Sequence, residues 1–275
     1  MRRILRTFVI AAVAATPAWA GLEFTVVSKT EGGPGASMGD MVMNAQTEGD
    51  QARIEFTETH NPMFGSGSYM LVNAKGEMTI VNPEKRTYSR LDLAAMMEGA
   101  EAGLGAAAKM GIKMEVEDPK VEKVLEEPGG DILGYPTTHY RWHTSYTMVV
   151  RLPKPIPDRR SPSESTEDIW TTTAISMPAH AGKALEGMGG GQVMGELKKV
   201  SDLAMAKMTG FHLKSITVTP ARGGRGGSTK TTMEVTKIHK ADIPASTFVI
   251  PAGYTETDLM QQQQRGPAMP DLNKE

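Results

Sequence analysis

Two histidines, His139 and His143, stand four residues apart and suggest a metal-binding site. On a helix this spacing would place both imidazoles on one face, but the flanking Tyr140, Arg141 and Trp142 alternate as in a β-strand. Four strand residues span roughly 13 Å, which is too far for both rings to bind one ion. We therefore predict no metal site here and expect both histidines to face solvent, opposite Tyr140 and Trp142.

Methionine is the second residue type with possible chemistry, because the chain contains 20 methionines and only 6 phenylalanines. Met38, Met41 and Met43 resemble a loose copper-binding cluster, yet only Met41 and Met43 would share one face of a strand. Flexible methionine side chains either fill an ordinary core or line a plastic cavity for an apolar guest. Both interpretations stay open, and apolar packing is favoured over copper.

The chain lacks the sequence signatures of common enzyme classes. Residues 65–67 (GSG) do not form a nucleophile elbow, because the strand and helix that should flank it are missing. The glycines of residues 32–39 do not have the spacing of a phosphate-binding loop. The chain has no cysteine, which excludes thiolate catalysis, disulfides and zinc–thiolate sites. We expect a non-enzymatic protein with no catalytic residues, no bound metal and no cofactor.

The first twenty residues have the layout of a secretory signal peptide. Arg2, Arg3 and Arg6 form a basic start, residues 5–15 are mostly apolar, and residues 18–20 (AWA) form a small-x-small cleavage site. The apolar run is too short to span a bilayer as a helix. We expect cleavage after residue 20 and export to the periplasm, with the extracellular space as the alternative.

Charge and hydropathy exclude two classes of partner. The chain carries 30 basic and 32 acidic residues, and losing the arginines of the leader would make it more acidic. This balance argues against nucleic-acid binding, which depends on clustered Lys and Arg. No later apolar run approaches the roughly 20 residues of a membrane-spanning helix. We therefore expect that this chain is not an integral membrane protein.

The remaining sequence is dominated by the period-two alternation of β-hairpins. Strands are predicted in residues 22–27, 41–44, 53–57, 86–90, 113–125, 136–152, 168–176, 211–220 and 229–238, and a hairpin that turns at residues 74–77 is predicted in residues 68–82. Helical signals occur in residues 92–111 and, more strongly, in residues 192–208. Residues 153–165 are predicted to form a loop, and residues 255–275 a disordered tail. We expect one mainly β (α+β) domain over residues 21–254: a strongly curved antiparallel sheet forming a half-barrel, with helices from residues 92–111 and 178–208 covering its concave face.

Three segments together resemble a secreted bacterial family of unknown function that is related to the LolA-like periplasmic lipoprotein carriers. They are residues 81–88 (VNPEKRTY), residues 132–140 (ILGYPTTHY) and residues 248–254 (FVIPAGY). The resemblance implies a periplasmic half-barrel with a helical lid and an apolar cavity. It supplies no catalytic residues.

We therefore predict a binding or carrier protein for a lipid, an acyl chain or another hydrophobic ligand. The concave strand face would line the cavity through Leu22, Phe24, Met41, Met43, Ile54, Phe56, Tyr140 and Trp142. Two helical segments would cap it through Met96, Met97, Val193, Leu197 and Val200. The alternative is an envelope sensor or interaction module that docks another envelope protein without a small-molecule ligand.

Overall fold

The computed structural model describes residues 21–33, 39–60, 64–91, 105, 107–177, 210–220 and 227–258. These residues form a sheet of twelve strands. In chain order, β1 to β12 are Gly21–Glu31, Met41–Glu48, Gln51–Thr59, Tyr69–Val72, Met78–Asn82, Thr87–Leu91, Lys113–Ile132, Tyr135–Arg151, Arg159–Thr172, Phe211–Thr219, Thr229–Ala241 and Thr255–Glu256. The mainly β fold predicted from the alternation is confirmed.

The sheet is built from two antiparallel meanders that meet at its centre. The strand order is β12-β6-β5-β4-β3-β2-β1-β11-β10-β9-β8-β7. The first meander is β1 to β6, the second is β7 to β11, and the antiparallel pairing of β1 with β11 joins them. The two-residue strand β12 then pairs in parallel with β6 at the far edge. The result is one large open sheet, which is compatible with a half-barrel.

Helix is rare in the described part of the chain. It comprises helical backbone at residues 105 and 107–109, 3₁₀ backbone at residue 39 and a short 3₁₀ helix, Ala245–Phe248. No helix there is long and apolar enough to cross a bilayer. Most of the predicted helical segment 92–111 and all of the segment 178–208 lie outside the described residues. Helices over the concave face are therefore not observed, and that part of the fold stays a prediction.

Alternation of apolar and polar side chains explains the first three strands. Buried residues occupy every second position of β1, β2 and β3, as expected for strands with one packed face. A two-residue turn joins β2 to β3, and its Gly49 has a φ of 55°. Glycine adopts this left-handed backbone without the penalty that a Cβ imposes. Local sequence therefore determines this hairpin.

The predicted loop over residues 153–165 is wrong in its second half. Strand β9 begins at Arg159 and pairs with β8 along its length, so the connection is only residues 152–158. The polar and Pro-containing segment is held in the sheet by partners distant in sequence. Arg160 forms an ion pair with Glu117 of β7, 43 residues away in the sequence, and Trp142 of β8 pairs with Glu167 of β9. Composition alone could not reveal these cross-strand pairs.

Strand β7 is longer than predicted, because it continues from Lys113 to Ile132 instead of ending near Leu125. Three register shifts let its charged and Pro-containing stretch follow β8. Bulges absorb residues that would otherwise break a regular ladder. The turn that follows uses Leu133 and Gly134, both with positive φ, as a two-residue hairpin requires.

The predicted disordered tail also begins too early. Thr255 donates its backbone N–H to the carbonyl of Arg86 at 3.0 Å, and Thr257 donates to the carbonyl of Tyr88 at 2.8 Å. The Ser89 hydroxyl bonds the carbonyl of Thr257 at 2.7 Å. These bonds join residues 255–257 to β6, and we refer to residues 242–258 as the C-terminal strap.

Candidate functional site

The first part of the site is the sheet face that carries the alternating apolar residues of β1, β2 and β3, here called the apolar face. Its six predicted members are at most 8% exposed and belong to one cluster: Leu22, Phe24, Met41, Met43, Ile54 and Phe56. The same cluster includes buried side chains that the prediction missed, among them Met70, Val72, Phe211, Leu213 and Val235. Most of these stand in predicted strands, so the alternation could have identified them.

Aromatic side chains contribute geometry to this cluster. Phe24 meets Phe211 edge-to-face with ring centroids 5.4 Å apart, and Phe56 stacks on Phe64 at 4.3 Å. Such arrangements stabilise beyond the area they bury. Phe211 comes from the second meander, so this contact ties the two halves of the sheet together on the apolar face.

Tyr140 and Trp142 lie on the same face, as strand register shows. Directly paired residues of adjacent strands project to the same side of a sheet. Tyr140 pairs with Ile169 on β9, and a continuous row of pairs then crosses the sheet from Ile169 through Ser215, Met233 and Ser28 to Met41. The structure therefore brings the eight described ligand-lining candidates to one face.

These eight residues nevertheless form two clusters. Tyr140, Trp142 and Ile169 pack together with Val121, separately from the larger cluster around β1 to β3. The other predicted lining residues, Met96, Met97, Val193, Leu197 and Val200, lie outside the described residues. The predicted lining is thus one face with a large and a small apolar cluster.

Trp142 is the one buried side chain in the described part of the chain whose polar atom has no hydrogen-bond partner. It is 1% exposed, and its indole Nε1 has no hydrogen-bond acceptor within the described part of the chain. Its paired neighbours on the adjacent strands are the charged Lys123 and Glu167, whereas Tyr140 is paired with the charged Glu126 on β7 and the apolar Ile169 on β9. Trp142 therefore has charged paired neighbours on both sides, while Tyr140 has an apolar paired neighbour on the side of β9.

On the opposite face, the expectation that His139 is solvent-exposed is wrong. His139 is buried, and its ring stacks on Trp170 with centroids 4.3 Å apart and an interplanar angle of 3°. Its Nε2 lies 2.7 Å from Asp168 Oδ1 and its Nδ1 lies 3.2 Å from Glu127 Oε1. Arg141 Nε donates to the same Asp168 oxygen at 2.8 Å. We call this group the histidine–carboxylate cluster.

The sequence signal for this cluster is weak, because its members come from three strands. Register pairs Glu127 with His139, His139 with Trp170, and Arg141 with Asp168. In the described ranges no three His, Cys, Asp or Glu side chains are arranged to hold a metal ion. His143, which the spacing linked to His139, does not belong to the cluster. The geometry is that of cross-strand ion pairing.

A shallow groove of about 270 Å³ lies elsewhere on the opposite face, across β3, β2, β1 and β11. Its polar groups bond one another: Glu23 accepts from Gln46 Nε2 at 2.6 Å and lies 3.0 Å from His239 Nε2. Arg53 pairs with Glu55 and stacks over Tyr69 at 3.6 Å. Burial raises the pKa of Tyr69, and the adjacent Arg53 opposes that rise. The charged and amide groups of Glu23, Gln46 and His239 bond one another across this groove, which makes it unsuited to an oily guest.

Two of the segments behind the family resemblance meet in a third cluster, under the C-terminal strap. Tyr69, Leu71 and Val81 are buried there on the opposite face, with Tyr88, Ile250 and Tyr254 packed against them. The tyrosines that end residues 81–88 and 248–254 therefore fasten the strap to the sheet. Val81, Tyr88, Ile250 and Tyr254 of these motifs pack on the face opposite the apolar face.

The architecture defines a mainly β protein with one large open sheet and a buried apolar face. Its chain belongs to the family defined by the DUF4412 domain of unknown function, which matches residues 35–254. This match confirms the coarse part of the resemblance, a family of unknown function that covers most of the chain. A comparison with curated proteins found no match.

Proposed function

We propose that this protein is a non-enzymatic carrier or binding protein for a lipid, an acyl chain or another hydrophobic ligand. The observation that supports the proposal is the gathering of eight predicted lining residues on one face of a single sheet. Burying apolar surface is favourable by about 25 cal/mol per Å², less the cost of ordering the ligand and side chains. Methionines within the face would let it adapt to chains of different shape.

The proposal extends to location and architecture. The leader-like residues 1–20 would direct the chain to the periplasm, and the resemblance to LolA-like carriers would make the sheet a half-barrel. The predicted helical segments 92–111 and 178–208 would then form a lid over the apolar face. A lid that opens would admit the ligand without any covalent step.

The test is extraction of the protein from its native host, followed by mass spectrometry of bound lipids. Adjacent residues of β4 provide a matched pair of variants, because Met70 lies on the apolar face and Leu71 on the opposite face, both buried. We expect Met70→Gln to reduce retained lipid about tenfold per folded molecule, since a buried amide without partners opposes an apolar ligand. Leu71→Gln should leave it unchanged. Equal lipid in both variants, or none in the wild type, would contradict the proposal.

A second candidate function, docking of another envelope protein, is supported by a separate observation. Met114 and Val124 on β7, and Leu133 in the turn that follows, are exposed apolar side chains. These side chains are spread along β7 and the turn after it. Strand β7 is an edge strand of the sheet, and an exposed edge strand can pair with another chain. Met114→Ser with Val124→Thr should reduce capture of a cross-linked envelope partner while lipid content stays unchanged. Unchanged capture would remove this candidate.

A further inference from the structure

The indole of Trp142 has a donor that a purely apolar site would not need. Its ring is buried with Tyr140 and Ile169, and its N–H has no acceptor in the part of the chain that the structure describes. A buried donor without a partner is destabilising, whereas a phenylalanine would fill an apolar site without that cost. A ligand with a hydrogen-bond acceptor at this position would therefore satisfy the indole N–H of Trp142.

The neighbours of Trp142 indicate where that acceptor stands along the ligand. On one side along the strand, Tyr140 has the charged Glu126 as its partner on β7 and the apolar Ile169 as its partner on β9, so its apolar contact lies toward β9. Beside Trp142 itself, the paired residues are the charged Lys123 and Glu167. Lys123 is half-exposed, forms an ion pair with Glu126, and has its Nζ 5.9 Å from the Tyr140 ring centroid, so a charged pair borders the apolar face here. An apolar chain and a polar group would meet at this boundary.

We infer that the ligand is an acylated amphiphile whose ester or amide carbonyl accepts a hydrogen bond from Trp142 Nε1. The acyl chain would extend over Tyr140 and Ile169 toward the larger cluster, and the headgroup would lie toward Lys123. This inference rests on the proposed function and narrows its ligand class from any oily molecule to one with a carbonyl next to its chain.

Two lysophosphatidylcholines test the inference, because 1-palmitoyl and 1-hexadecyl ether forms share headgroup and chain but only the first has the carbonyl. Binding to the lipid-stripped full chain is measured by titration calorimetry. We expect the ester to bind about five- to tenfold more tightly, the range of one hydrogen bond. Trp142→Phe should abolish this preference. The control Trp170→Phe, which removes an indole from the opposite face, should retain it.

Indole N–H resonances of ¹⁵N-labelled wild-type protein provide a readout that does not depend on any variant folding. The chain has three tryptophans, so the Trp142 signal is resolved, and we expect it to move downfield with the ester and less with the ether. Equal affinities, or a Trp142 signal that is already downfield and unmoved by ester, would overturn the inference while leaving the carrier proposal intact. Binding of neither lysolipid, with no lipid in the native extract, would refute both.

Discussion

The two meanders of the sheet differ in the side chains that pack on their two faces. In the first, β4 is buried on both faces: Met70 and Val72 join the apolar face, while Tyr69 and Leu71 lie under the C-terminal strap. In the second, the apolar cluster around Trp142 is small, and the opposite face carries the histidine–carboxylate cluster. One half is a sandwich of apolar layers, and the other is a sheet held partly by ion pairs.

This difference predicts that one part of the sheet is rigid and that another part adapts to a ligand. Apolar layers on both faces stabilise strands strongly, whereas half-exposed ion pairs contribute little. We therefore expect β1 to β6 with the strap to act as the stable frame, and the Trp142 region to be the part that adjusts to a ligand. The predictions below test this division, starting from the largest expected effect.

Phe56→Ala should be the most damaging substitution, because Phe56 is fully buried in the large cluster and stacks on Phe64. We expect the free energy of unfolding in urea to fall by about 3–5 kcal/mol. Tyr140→Ala in the small cluster should cost less. A larger loss for Tyr140→Ala would reverse the assignment of frame and adaptable region.

Tyr254→Ala should release the strap from the first meander. Its ring packs on the cluster of Tyr69, Leu71 and Val81, so we expect a loss of about 2 kcal/mol in urea denaturation. Val249→Ala, an exposed position on the same strap, serves as control and should change stability by less than about 0.5 kcal/mol. A loss for Tyr254→Ala as small as that of the control would show that the packing of Tyr254 does not stabilise the sheet.

Asp168→Asn should weaken the histidine–carboxylate cluster, since one Asp168 oxygen bonds both His139 and Arg141. The expected loss is about 1–2 kcal/mol, because Asp168 and His139 are shielded from solvent while Arg141 is half-exposed. A double-mutant cycle with His139→Gln measures the coupling. If the two losses are strictly additive, the contact between Asp168 and His139 does not contribute to the free energy of unfolding.

The smallest effect concerns His212, whose pKa is lowered from 6.5 by burial. Because the folded-state pKa is below the unfolded value, the unfolded chain takes up the proton more readily, and stability falls as the pH drops below about 6.5. His212→Gln should reduce the difference in unfolding free energy between pH 7 and pH 5. An unchanged difference would show that His212 does not contribute to acid sensitivity.

Local sequence was sufficient for the strands β1 to β3, for the hairpin that joins β2 to β3, and for the face that Tyr140 and Trp142 share, because period-two patterning is a short-range property. It failed where partners distant in sequence decide the outcome. The sequence predicts a loop for residues 159–165, but these residues pair with β8. It predicts a disordered tail from Thr255 onward, but Thr255 pairs with β6.

The candidate site shows the same limit. Alternation placed His139 opposite Tyr140 correctly but could not show that Asp168, Glu127 and Trp170 would cover it. It likewise placed Trp142 on the apolar face without showing that its N–H would have no acceptor among the described residues. Burial by neighbouring strands is a tertiary effect, and a pattern within one strand does not contain it.

Photo-crosslinking with a diazirine-bearing palmitate tests the central claim that the apolar face receives a hydrophobic chain. The full-length protein is irradiated with the probe, digested, and the labelled peptides are mapped. We predict label on peptides that contain Met41 and Met43 or Tyr140 and Trp142, suppressed by excess unlabelled palmitate. Label confined to the exposed residues of β7 or the groove around Glu23, or label that excess palmitate does not suppress, would contradict the account.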